Sequence, residues 1–288
     1  MKKVLIFALA GILSTSPAFA YDISNHFDMS KEAAKRSVLQ TDPNVLLNLG
    51  LRSWGDADQK FSATEGENST ELTDGCEHAI RFSILDLIGC GAQFEDVPGT
   101  RSVNHFYDPT NNGPLKVRVP PLIGPWVTPG ISSPDWALKD NNDSSAQAFS
   151  YKDARNYFYQ ALTTGPQQDR DALWGKLFQS IGQVIHHVQD MAQPQHVRND
   201  AHMDKLWLLP YYNPSLYESY TGDQNNRPVV QALLSSPGSE PVYTSNNPGS
   251  FNTPRDFWIN AQHTGLAEFT NRNFVSAGTN FELYQGLQ

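Results

Sequence analysis

Between Gln168 and Ala192 apolar residues recur at helical spacing: Leu173, Leu177, Ile181, Val184, Ile185 and Val188. A stretch of that length and period must lay one face against other elements, so a long helix is the axis around which this chain folds. Its end reads Ile185-His186-His187-Val188-Gln189-Asp190, followed by Met191-Ala192-Gln193-Pro194-Gln195-His196. His186 and Asp190 stand four residues apart and share a helix face. Pro194 ends the helix and turns the chain, which lets His196 reach back or serve a neighbouring ion. Such donors suit zinc, which takes nitrogen and carboxylate ligands at about 2.0–2.2 Å. His187 lies about 100° around the helix from His186. It is expected to pack or to support a ligand rather than to be one.

Further helices are expected over about 30–51, interrupted at Asp42-Pro43, over Glu77–Leu87 before Gly89, over Tyr151–Leu162, and over Pro254–Phe269 with Pro254 in the first turn. Residues 107–147 hold Asp108-Pro109, Asn112-Gly113-Pro114, Pro120-Pro121 and Gly124-Pro125. They read as a long irregular loop over a helical body, and residues 235–253 read similarly. No alternating pattern requires a sheet. The expected fold is all-α, a single multi-helix domain with long irregular loops.

Lys2 and Lys3 precede an apolar run from Val4 to Leu13, and Ala18-Phe19-Ala20 offers a small-residue cleavage site. Residues 1–20 therefore read as a secretory signal peptide, too short for a retained membrane span. Residues 21–288 are expected to form the mature domain, secreted or periplasmic. Phe274 to Tyr284 has no assigned partner, which leaves room for a further C-terminal element. Loss of Lys2 and Lys3 takes the formal charge from -9 to -11. That charge argues against a broad electrostatic grip on nucleic acid, although bound cations reverse the field inside a metal-lined cleft. In an oxidising compartment Cys76 and Cys90 are expected to form a disulfide, with two buried thiols as the alternative.

Three strings carry a resemblance. Gly91-Ala92-Gln93-Phe94-Glu95-Asp96, Asn104-His105-Phe106-Tyr107-Asp108-Pro109 and the run from His186 to His196 resemble the zinc-dependent phospholipase C family. Its wider superfamily includes zinc-dependent single-strand nucleases. The likeness runs from Tyr21 to about Tyr220. It implies an all-α fold with three zinc ions in a cleft. Asp96, His105, His186 and Asp190 would hold the first. Asp190 would bridge to a second, completed by His26 and by the amino group and carbonyl of Tyr21, freed by cleavage after Ala20. The family more often begins with Trp. His196 and Glu218 would hold the third. Where the phospholipase pattern has a histidine four residues before that acid, this chain has Pro214, and His202 is the substitute. His78 and His263 are expected at the surface or in structural roles. Asp108 is expected to cap the turn before Pro109, with orienting His105 as the alternative.

Phosphodiesters are the natural target of such a site. The expectation is hydrolysis at phosphorus by activated water, with Asp96 accepting a proton, as the resemblance implies. Phospholipase C activity on a phospholipid, releasing diacylglycerol and a phosphorylated head group, is the leading substrate expectation. If exposed, Leu206-Trp207-Leu208-Leu209-Pro210-Tyr211-Tyr212 would offer transient contact with a membrane surface; otherwise it packs over the helices. A single-strand nuclease is the rival, with Trp126, Trp136 and Tyr212 as base-stacking platforms. A non-catalytic, zinc-stabilised binding domain is the third possibility. No sequence feature calls for a stable protein partner.

Overall fold

The computed structural model describes residues 23–53, 56, 58–63, 72–77, 80–118, 124–140, 142–202, 215–235 and 251–276. The 1–20 leader, Tyr21, His78, the 206–212 loop with Tyr212, and Pro214 lie outside them. The described residues are mostly helical. In chain order the helices are α1 (Ile23–Arg36), α2 (Val38–Thr41), α3 (Pro43–Asn48), α4 (Ile84–Asp96), α5 (Ser133–Leu138), α6 (Tyr151–Thr163), α7 (Gln167–Asp190), α8 (Leu216–Gly222), α9 (Arg227–Ser235) and α10 (Leu266–Asn273). The strands among the described residues form one two-stranded antiparallel ribbon, β1 (Val117–Arg118) against β2 (Trp126–Val127). None of the described helices is long and apolar enough to cross a membrane.

The expected axis is present as α7, and α4 and α6 pack along it, with α1 packed mainly on α4 and touching α7 as well. Its apolar stripe splits in two. Ile181 and Ile185 pack into a core with Phe27, Leu87, Ile88, Phe94 and Phe178. Val184 and Val188 pack into a second core with Tyr107, Leu138, Met191, Val197 and Trp258. Between them runs a buried polar stripe, Gln183, His186, His187 and Asp190. Residues at i, i+3, i+4 and i+7 share one face, so α7 wedges this stripe between two apolar bodies.

Two glycines set how closely α4 approaches it. A Cβ on Gly91 would lie 2.4 Å from the Gln179 carbonyl, and one on Gly182 would lie 2.2 Å from that of Ile88. Any side chain there would force the helices apart. One turn beyond the crossing, α4 presents Glu95 and Asp96, and α7 presents His186 and His187.

Several helix boundaries depart from expectation. The helix expected over Glu77–Leu87 lies at Ile84–Asp96 instead. Ser83 starts it by accepting from the backbone N–H of Asp86 at 3.1 Å. Gly89 and Gly91 sit inside it because tight packing outweighs their low helix propensity. Residues 74–77 form a turn, held by the expected disulfide between Cys76 and Cys90. A cross-link of this span contributes about 3 kcal/mol in the chain-entropy account. The first helix begins at Ile23 rather than near Ser30, and the chain breaks at Ser37 as well as at Asp42, whose carboxylate caps α3. The helix expected over Pro254–Phe269 is a 3-10 turn at Pro254–Phe257 followed by α10. Asn260 separates them by accepting from the backbone N–H groups of Gln262 and Thr264. The long 107–147 loop carries the ribbon and α5, which packs on α7. Asp108 takes its expected turn role, accepting from the Thr110 N–H at 2.9 Å.

Candidate metal centre

The end of α4, the end of α7 and the 3-10 turn Gly99–Asn104 between them bring Asp96, His105, His186 and Asp190 together. All four are fully buried. His105 Nδ1 lies 3.2 Å from Asp190 Oδ2, 3.2 Å from His186 Nε2 and 3.5 Å from Asp96 Oδ1. His186 Nε2 lies 3.2 Å from Asp190 Oδ2 and 3.7 Å from Asp96 Oδ1. Four donors around one metal at about 2.0–2.2 Å sit about 3.3–3.6 Å from each other, the edges of a tetrahedron. These five spacings, 3.2–3.7 Å, lie near that range; Asp96, His105 and His186 form one group that could hold a metal ion, and Asp190 joins His186 and His26 in the next.

Among the described residues, no oxygen of Asp96 or Asp190 accepts a hydrogen bond. Burying carboxylates without donors is costly unless a cation or a proton compensates. Burial accordingly drives both carboxyls well above their ordinary range, with neighbouring acids adding to it. Burial likewise holds the imidazoles of His26, His105 and His196 well below theirs. Neutral imidazoles offer lone pairs to a cation, and a cation bound there would displace any proton the carboxyls hold.

Asp190 also faces a second cluster. Its Oδ1 lies 3.6 Å from His26 Nε2, while its Oδ2 belongs to the first. His26 stacks on His186 with ring centroids 3.9 Å apart. Its Nδ1 meets the Gln189 side-chain oxygen at 2.7 Å. That acceptor calls for a proton on Nδ1 and leaves the Nε2 lone pair toward Asp190.

A third cluster joins His196, His202 and Glu218. His196 Nδ1 meets the His105 carbonyl at 3.2 Å, and His202 Nδ1 meets that of Asp200 at 3.2 Å. Both rings thus turn Nε2 inward, 3.4 Å apart, with Glu218 Oε1 2.6 Å from that of His202. Burial alone would depress His202, but Glu218 beside it carries it above the ordinary imidazole value. Gln193 Nε2 donates to Glu218 at 3.2 Å, and Phe106 stacks on the His196 ring at 4.4 Å. His202 thus joins His196 and Glu218 in a group that could hold a metal ion.

Every sequence-predicted ligand within the described residues therefore falls in one of three adjoining clusters. His263 is at the surface, paired with Glu268 at 2.7 Å. His187 is packed behind the ligands: its Nδ1 meets Ser133 Oγ at 3.2 Å and its Nε2 lies 3.1 Å from Glu95 Oε1. Trp136 is corrected as a stacking platform. It is 5% exposed and its indole N–H donates to Glu95 Oε1 at 2.8 Å. Trp126 is exposed, with the Arg118 guanidinium 4.8 Å from its ring.

Sequence reasoning missed Glu95 and Arg101. Arg101 Nη2 donates to Glu95 Oε2 at 2.6 Å and to the Gln183 side-chain oxygen at 3.1 Å. Burial would raise the Glu95 carboxyl, but Arg101 and His187 hold it well below the ordinary range. Glu95, His105 and His187 also converge closely enough to ligate. That group is an ion-pair network rather than a fourth metal site, because Glu95 is already matched by a guanidinium and an indole N–H. The only advance signal was an acid next to Asp96.

No family model matches this chain, and neither the curated proteins nor the solved structures yield a match. What defines its class is the molecule itself: a mostly helical protein whose buried His, Asp and Glu groups could hold metal ions.

Proposed function

We propose that this protein is an exported zinc hydrolase of phosphodiesters, of the phospholipase C type, holding about three ions. One observation carries the reading: buried donors of Asp96, His105, His186 and Asp190 lie 3.2–3.7 Å apart in five pairs, and among the described residues no oxygen of either carboxylate accepts a hydrogen bond. Asp96, His105, His186 and Asp190 would hold one zinc. His26 and the other oxygen of Asp190 would hold a second, with Tyr21 its further proposed ligand. His196, His202 and Glu218 would hold the third. Nitrogen and carboxylate donors without thiolate favour zinc over softer ions. Zinc supplies a Lewis acid for the phosphoryl oxygens and lowers the pKa of water toward about 7.

The chain's own groups do the rest. Asp96 turns Oδ1 to the imidazoles of His105 and His186, and its Oδ2 accepts a proton from the attacking water. Asp190 fixes the first two clusters side by side. His196, His202 and Glu218 adjoin them, His196 Nδ1 lying 3.7 Å from Asp190 Oδ2, and a zinc held there would stabilise the leaving oxygen. Leu216, Tyr217 and Tyr220, on the helix that carries Glu218, are 77%, 46% and 53% exposed. Such exposed apolar and aromatic surface suits contact with a lipid interface.

The test assays the zinc-loaded protein on phosphatidylcholine vesicles and on single-stranded DNA in parallel. Release of diacylglycerol and phosphocholine, lost in a folded Asp96→Asn variant that keeps its zinc, is expected. Cleavage of DNA alone would assign the nuclease activity. Bound zinc with neither activity would leave a binding domain.

A further inference from the structure

Behind the first cluster lies a buried chain of polar groups that the proposed chemistry does not use. Ser133 Oγ, His187 and Glu95 follow one another at 3.2 and 3.1 Å. The order mimics a serine–histidine–acid nucleophile. The surroundings rule that use out: Ser133 and His187 are both fully buried, Ser133 Oγ accepts from the indole of Trp258 at 3.1 Å, and Glu95 is neutralised by Arg101. The chain ends instead at a ligand. His105 turns Nδ1 to the cluster; were Nδ1 to hold a metal, the ring's proton would sit on Nε2. The nearest anion to that nitrogen is Glu95 Oε1, 3.8 Å away.

We infer that Glu95 is a positioning residue for the first metal: an anion fixed by Arg101, Trp136 and His187, it holds the ring of His105 in the tautomer that leaves Nδ1 free to ligate. The distance makes this a through-space attraction rather than a hydrogen bond. It acts on the positive charge that an imidazole N–H gains when its opposite nitrogen binds a cation. Asp96, the next residue, faces the opposite nitrogen of the same ring. The helix end thus clasps His105 from both sides, one acid toward the metal and one behind.

This inference rests on the proposed metal site, and its test separates the two. Zinc affinity of the full chain is measured by competition with a chromophoric chelator, for wild type and Glu95→Gln. Absorption of the cobalt-loaded proteins reports coordination. Wild type that binds no zinc overturns the metal site itself. Wild type that binds, with one ion weakened about 10–100-fold in Glu95→Gln, the others unchanged and the cobalt spectrum altered, is the expected result. Equal affinities and spectra overturn the inference. Should Glu95→Gln fail to fold, long-range proton–nitrogen correlation on metal-free wild type decides: His105 with its proton on Nε2 is expected, and a proton on Nδ1 overturns the inference.

Discussion

Glu95 and Asp96 are consecutive, both fully buried, and live in opposite electrostatic worlds. Glu95 meets Arg101 and the indole of Trp136, and its carboxyl is held far below the ordinary range. Asp96 receives no donor from the described residues and is driven far above it. A buried acid that brings its own cation serves the fold. A buried acid that brings none is poised for a cation from outside. Burial is the same in both, so the difference lies in the partners.

The largest effect should come from breaking the self-sufficient side. Arg101→Met leaves Glu95 as an unpaired buried anion and should cost about 3–5 kcal/mol. Denaturant unfolding should show this loss with or without zinc. The other side should respond with the opposite sign. Asp96→Asn removes an acid whose charged form has no donor, so the metal-free variant should gain about 1–2 kcal/mol at neutral pH. A destabilised metal-free Asp96→Asn would place that acid in the self-sufficient class.

The smallest effect is a proton count. Because Asp96 and Asp190 are raised, they lend the metal-free chain stability at low pH that is lost as pH rises from the ordinary carboxylate range through their folded values. Glu95, depressed, does the reverse: its stabilisation is present at neutral pH and lost only as pH falls through its folded value. Zinc binding should therefore release protons from the Asp96–Asp190 side and none from Glu95. Calorimetry in buffers of differing ionisation heat should show affinity still climbing between about pH 5 and 7. An affinity flat across that range would mean both acids are already ionised without metal.

What the sequence disclosed follows the same division. His186 and Asp190 were legible because helical spacing puts them on one face, and α6 and α7 fell near their expected bounds for the same reason. Asp96 and His105 were legible only through the resemblance, since nothing local joins a helix end to a 3-10 turn. The support network was not legible. Glu95 finds Arg101 six residues on, Trp136 after 41 and Gln183 through Arg101, from segments without periodicity. Gly89 misled because it reads as a stop. Three glycines within and across from α4 instead let it close on α1 and α7.

The most direct test of the account is a crystal structure of the zinc-loaded protein with anomalous scattering measured on both sides of the zinc edge. The expected result is a zinc-specific peak ringed by His105 Nδ1, His186 Nε2, Asp96 and Asp190, with a second beside His26 and a third between His196 and His202. A map with no such peak at the first position, and Asp96 and Asp190 sharing protons instead, would contradict it.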